Sequence, residues 1–356
     1  MPGRTAAFVA HRRLLFTVAY EMLGSAADAE DVLHQEHRPR RRSAASLPRV
    51  PRSGARPRPS GSLGTVGGVS ASLREPILDW YAEHNRDLPW RRPDATPWGI
   101  LVSEIMLQQT PVARVLPVWT EWMERWPTPE ALAKESPGEA VRHWGRLGYP
   151  RRALNLHACA RAITADHDGR VPSTYDELRA LPGIGDYTAA AVASFAYGGS
   201  HAVLDTNVRR VLARAVRGEE YPPKTTTAAE RRLAESLVPP VGAPRWAVAV
   251  MELGALVCTA RAPRCERCPV TAQCAWRLAG RPAHDGPARQ GQTYAGTDRQ
   301  CRGRLLAVLR EAHGPVPKEA LDAVWADHVQ RERALDGLLD DGLAEVLPDG
   351  TYQLPS

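Results

Sequence analysis

The sequence predicts an all-α protein: a long helical body, then a small helical unit ending in a hairpin. Three observations carry this. Apolar residues recur at helical spacing from Leu73 to Val257, with short connections marked by Gly or Pro. No strand-like alternation breaks that run, and Val203-Leu204 is too short to count as one. Four of the six cysteines fall between 258 and 274, a distribution that suits a metal site rather than a disulfide framework.

Length and composition bound the rest. The 356 residues leave room for two ordinary domains plus tails, and 43% hydrophobic against 24% charged residues marks most of the chain as globular. Collagen-like, coiled-coil and wholly disordered classes are excluded. The longest apolar run, Trp246 to Cys258, is too short for a membrane span and carries Glu252. Arg12 and Arg13 interrupt the first apolar run, so no secretory signal is expected, and the chain reads as a cytoplasmic monomer. The net charge is +6, with a pI near 9.1. Eleven arginines against five carboxylates in residues 1–60 carry that whole excess, so any nucleic-acid contact in the body must be a local patch.

The elements follow in order. Residues 6–34 read as helix around a Gly24-Ser25 break, and the run RRLLFTVAYEMLGSAADAEDV from Arg12 to Val32 resembles the first helices of sigma-factor region 2. Residues 36–70 are Arg, Pro, Gly and Ser with little apolar content, hence a disordered linker, so 1–70 is expected to be a silent extension. The body spans 71–278, with helices expected at 73–84, 98–109, 111–125, 129–134, 137–144, 150–167, 174–180, 186–197, 205–216, 227–238 and 243–257. A polar linker, 279–298, leads to a last unit, 299–356. Its helices near 301–312, 317–325 and 328–341, with extended pieces 343–347 and 351–354 joined by Pro348-Asp349-Gly350, suggest a winged-helix shape.

The cysteine spacing is Cys258-x6-Cys265-x2-Cys268-x5-Cys274. Four thiolates on so short a loop can wrap one tetrahedral zinc or a [4Fe-4S] cube. Zinc ribbons usually present two C-x2-C knuckles, and a single such pair follows a long apolar helix here, so spacing favours iron–sulfur and leaves zinc open.

Three further segments carry chemistry. Leu181-Pro182-Gly183-Ile184-Gly185 joins two helices, and its glycines suit a tight turn whose N–H groups could hold a phosphate; equally, it is an ordinary turn. Asp205 precedes an apolar helix and is most simply its N-cap. A carboxylate at that position is expected to stay ionised. Glu104 is odder, since Ile100, Leu101 and Leu107 share its helical face. A carboxylate on an apolar face is either a buried hydrogen-bonder or an acid with a raised pKa.

Taken together, the cysteine spacing, MELGALVC before it, LPGIGDYTAAAV, LDTNVRRV and SEIMLQQT resemble the helix-hairpin-helix DNA glycosylases of the endonuclease III superfamily, and among them the MutY-type adenine glycosylases, over about residues 73–278. The resemblance implies a [4Fe-4S] cluster on Cys258, Cys265, Cys268 and Cys274. It implies Glu104 as catalytic acid and Asp205 as the carboxylate facing the sugar, with Tyr187 and Asn207 orienting them. Tyr187 stands where strand-cleaving relatives carry lysine, so base release without strand cleavage is implied. Arg86, Leu88, Trp90 and Arg91 resemble the segment lining the adenine pocket, Gln109 the side chain wedged into the duplex, and Tyr149 the aromatic near the lesion. Gly183 and Gly185 would hold DNA phosphate. The implied substrate is double-stranded DNA with adenine opposite 8-oxoguanine or guanine. Relatives carry a C-terminal Nudix-like β domain for 8-oxoguanine, and residues 279–356 are too few and too helical to form one. Two alternatives are a glycosylase for oxidised pyrimidines or G·T pairs, and a non-catalytic iron–sulfur DNA-binding regulator.

Overall fold

The computed structural model describes residues 66–284, 286 and 294–356. The sigma-like segment and most of the expected linker lie outside the described residues. The first helix, α1 (Val66–His84), starts inside that expected linker. Its Gly/Ser-containing first turns are continued by a segment that Leu73 and Ile77 bury in the core, and tertiary anchoring of this kind overrides weak helix propensity.

The body continues through α2 (Pro97–Leu107), α3 (Val112–Arg125), α4 (Pro129–Ala133), α5 (Pro137–Trp144), α6 (Arg151–Asp166), α7 (Tyr175–Ala180), α8 (Asp186–Tyr197), α9 (Thr206–Leu212), α10 (Ala228–Leu237), α11 (Ala243–Leu256) and α12 (Ala275–Leu278). The starts are chemically marked. Thr96, Thr128, Ser136, Thr174, Asp205 and Thr227 each accept an N–H of the first turn through a side-chain oxygen. Two expected helices depart from regular geometry at their ends. α2 stops before Gln109, which takes φ +53, and α9 passes into a π-helical turn, Ala213–Arg217.

Two lobes result. In one, α2 to α8 close on a tryptophan core, where Trp122 meets Trp126 and Trp144 edge-on at 4.8 and 5.7 Å. The indole N–H groups find carbonyls, as with Trp122 to His143 at 2.8 Å and Trp119 to Gly99 at 2.8 Å. In the other, α1 returns to pack with α9 and α11 through Leu73, Ile77, Val208, Val211, Trp246 and Leu253.

The last unit holds α13 (Asp298–Glu311), α14 (Lys318–Asp322), α15 (His328–Asp340), β1 (Glu345–Val346) and β2 (Tyr352–Gln353). α13 begins within the expected linker because Thr297 caps it. β1 and β2 pair antiparallel, and Val316 bridges to Tyr352, which makes the small wing. Cys301, Leu305, Leu309 and Leu338 join the same hydrophobic cluster as Trp144 and Leu147, so this unit shares the first lobe's core.

Candidate active site

The cleft between the lobes collects the singled-out carboxylates. Every neighbour of Glu104 along α2, from Ile100 to Met106, is buried, and Glu104 itself is 5% exposed. The Tyr187 hydroxyl, one residue into α8, donates to Glu104 Oε2 at 2.7 Å. Burial lifts the Glu104 carboxyl to about 7; the Tyr187 hydrogen bond opposes this, and the negative charge of Asp205 adds to it. Burial likewise pushes the Tyr187 phenol well above its ordinary value, so it stays a donor.

Asp205 does cap α9: its Oδ1 accepts from Val208 N at 2.6 Å and its Oδ2 from Asn207 Nδ2 at 2.7 Å. Burial pushes the Asp205 carboxyl up, against the opposing bonds from Val208 and Asn207. Asn207 is positioned in turn, its Oδ1 accepting from Arg210 Nη2 at 2.7 Å. Arg210 also donates to the Gly254 and Cys258 carbonyls, both at 2.7 Å. A Cβ at Gly254 would stand 2.7 Å from Asn207 Cβ and 2.8 Å from its carbonyl oxygen, so α11 approaches α9 closely at this point.

Arg86, Leu88, Trp90 and Arg91 line the groove that Glu104 opens onto, Leu88 and Trp90 each 5% exposed. What holds the arginines is a residue the sequence reading passed over as an active-site group. Glu252 is fully buried on α11, accepts from Arg86 Nε and Nη2 at 2.7 Å each, and pairs with Arg91 at 2.9 Å. Burial pushes its carboxyl up, but the bonds from Arg86 and the charge of Arg91 outweigh that and hold it low. A carboxylate in the middle of an apolar helix was the available signal, the same one that marked Glu104.

Gln109 and Tyr149 both line the groove at positive φ, +53 and +49. Arg152, also missed, is buried between them. It donates to Ile105 O at 2.8 Å, Gln108 O at 2.6 Å, Thr110 Oγ1 at 3.0 Å and Gly148 O at 3.0 Å. The two hairpin glycines differ. Gly183 has φ +74, and a Cβ there would lie 2.6 Å from Asn155 Cβ. Gly185 has φ −93 and open space, so the backbone does not require glycine there; it leaves the start of α8 uncovered, with no side-chain cap. None of the chain's three lysines lines the groove.

The four cysteines are free and half-buried. Cys268 lies within reach of the charges of Cys258, Cys265 and Cys274, and burial pushes its thiol up to about 12. Among the described residues, no three His, Cys, Asp or Glu side chains converge as ligands of one metal ion. Arg214, 1% exposed, approaches Cys258 Sγ at 3.5 Å, meets the carbonyls of Thr259, Ala260 and Glu220, and lies over the Trp276 and Tyr221 rings at 4.8 and 5.6 Å. Among the described residues no carboxylate pairs with it. A buried cation against a thiol fits an anionic, thiolate-bound group on this loop.

Residues 102–239 match the HhH-GPD superfamily base excision DNA repair proteins. Among solved structures, a thermostable thymine-DNA glycosylase superposes with TM-score 0.56 at 29% identity, covering 61% of this chain and 100% of that one. The adenine DNA glycosylase of Mycobacterium tuberculosis is 54% identical over 281 residues, 78% of this chain and 92% of that one. That of Mycolicibacterium smegmatis is 55% identical over 280 residues, 78% and 94% respectively. The chain belongs to the adenine DNA glycosylases of this superfamily.

Proposed function

We propose that the chain hydrolyses the N-glycosidic bond of adenine in double-stranded DNA, acting on adenine opposite 8-oxoguanine or guanine during base excision repair. The observation that supports this most is the buried Glu104, poised near neutrality by burial and held by Tyr187. In this reading the adenine is flipped into the groove beside Leu88, Trp90, Arg86 and Arg91. Tyr187 occupies Glu104 Oε2, which leaves Oε1 to deliver a proton to adenine N7. The C1′–N9 bond then breaks with its electron pair going to the protonated base, which leaves as neutral adenine. Asp205, oriented by Asn207, faces the positive charge left on the sugar. Water adds at C1′ and returns its proton to the Glu104 carboxylate. Among the described residues no lysine lines the groove to trap the sugar, so the strand is not cut.

Gln109 would wedge the duplex, Tyr149 would contact the mispair, and Gly183 and Gly185 would seat a phosphate at the start of α8. Cys258, Cys265, Cys268 and Cys274 would hold a [4Fe-4S] cluster, which fixes the loop and takes no part in base release. No described helix is long and apolar enough to cross a membrane. We place the protein in the cytoplasm, as a monomer on nucleoid DNA. The test is incubation with duplexes carrying A·8-oxoG, A·G, thymine glycol or G·T, followed by alkali. Cleavage at adenine alone, and only after alkali, is expected; cleavage of the thymine glycol or G·T duplex instead would overturn the reading.

A further inference from the structure

The contacts of the C-terminal unit with the body converge on one place. It grips α5: Gly138 N donates to Pro355 O at 2.8 Å, Arg142 Nη1 to Ala312 O at 2.8 Å, and Arg310 Nε to Val141 O at 2.9 Å. It grips the start of α6 through Arg151 and Asp341 at 3.3 Å. Between those helices lies the loop that presents Tyr149, 42% exposed and at φ +49. The Arg299 guanidinium, from the first turn of α13, lies 5.5 Å over that ring; Arg152, from the body, lies 5.6 Å from it. A non-glycine residue in the left-handed region persists only where its surroundings hold it.

The same unit is poorly suited to reading DNA itself. On its groove side Arg302 and Arg333 are matched by Asp341 and Asp298, and Asp336 and Asp340 stand exposed on α15. Arg299 and Arg304, which have no carboxylate partner among the described residues, lie over the Tyr149 and Trp325 rings at 5.5 and 5.3 Å, which ties them to the protein rather than to a phosphate.

We propose that the C-terminal unit is a brace for the Tyr149 loop, with Arg299 as the positioning residue that holds Tyr149 ready while adenine is extruded. This rests on duplex DNA being the substrate. The full chain carrying Arg299→Ala, and Arg299→Lys beside it, is compared with the unsubstituted protein in three measurements. Extrusion is read by 2-aminopurine fluorescence at the adenine position; release is read as single-turnover rates on an A·G duplex and on adenine opposite an abasic-site analogue; binding is read as a function of salt.

For Arg299→Ala, extrusion and release on the A·G duplex should fall about 3- to 20-fold, the equivalent of one cation–π contact. The abasic duplex, with no partner to unpair, should lose less, and Lys should restore part of the effect. The salt slope should not change. Equal losses on both duplexes, no loss of extrusion, or a salt slope reduced by the ~0.9 of one lost phosphate contact would each overturn the brace. Adenine release absent from the unsubstituted protein would instead count against the proposed activity, and the fluorescence would still test the brace.

Discussion

The Tyr187 hydroxyl donates to Glu104 Oε2 at 2.7 Å, across a sequence separation of 83 residues. That bond stabilises the ionised form of a carboxylate that burial pushes the other way, to about 7. A general acid must be protonated, so adenine release should fall about tenfold per pH unit above that value. Tyr187→Phe removes a contact that favours the charged form. The Glu104 pKa should therefore rise further, and the alkaline limb of the rate profile should move to higher pH. Single-turnover rates across neutral pH check this; a limb that stays put or moves down would detach Tyr187 from the acid.

Glu104→Gln keeps the shape but delivers no proton of useful acidity, so the chemical step should slow by roughly 10²–10⁴ with DNA affinity retained. Asp205→Asn separates two roles that coincide in one residue. Asn caps a helix about as well as Asp, so the bond from Val208 N should hold, and the melting temperature should fall only by the lost acceptor for Asn207 Nδ2. The charge facing the sugar is lost, so release should slow by roughly 10²–10³. A variant as fast as the parent would leave Asp205 a cap and nothing more.

Glu104 was legible because its helical neighbours are apolar, and Asp205 because an apolar helix follows it. Glu252 carries the same mark as Glu104, but in the sequence it is only a charge interrupting an apolar run, since its partners Arg86 and Arg91 lie more than 160 residues away. Arg152, Arg210 and Arg214 left no local mark, because most of their partners are backbone carbonyls brought near by folding. Helix interiors followed from periodicity, whereas the early stop of α2 depends on Arg152 binding its terminal carbonyls.

The glycines offer a contrast within one fold. Gly254→Ala would place a methyl against Asn207 backbone and side chain, so it should cost about 1–3 kcal/mol and also slow base release by displacing the Asp205 support. Gly185→Ala meets open space at φ −93 and should leave stability unchanged, weakening DNA binding alone. Urea unfolding and binding titrations on the two variants should separate them; equal destabilisation would contradict the close approach of α11 to α9.

For the cysteine loop, purified protein should contain iron rather than zinc and be yellow-brown. Cys268→Ser should lose the iron and the colour together, with weaker DNA binding. Arg214→Met should reduce iron retention, since it removes the buried cation beside Cys258. One zinc and no iron in anaerobically purified protein would exclude the cluster.

Glu252→Gln tests the ion-pair hub beneath the pocket. The carboxylate is fully buried and balances Arg86 and Arg91, whose side chains are 33% and 17% exposed. Removing its charge strands two cations, and because Arg86 is partly solvated the cost should be about 2–4 kcal/mol, discounted from the roughly 3–5 kcal/mol of a fully buried broken pair. The depressed Glu252 pKa fixes the sign of the pH dependence. The stabilisation is fully present above the ordinary value of 4.5 and is lost as pH falls through the lower folded value. The difference in urea midpoint between parent and Glu252→Gln should thus be large at neutral pH and shrink in acid. Arg91, no longer held by Glu252, is freer to pair with Glu104, which favours the ionised form and should bring the alkaline limb of base release to lower pH. A limb moved to higher pH would show that Arg91 does not act on the catalytic acid.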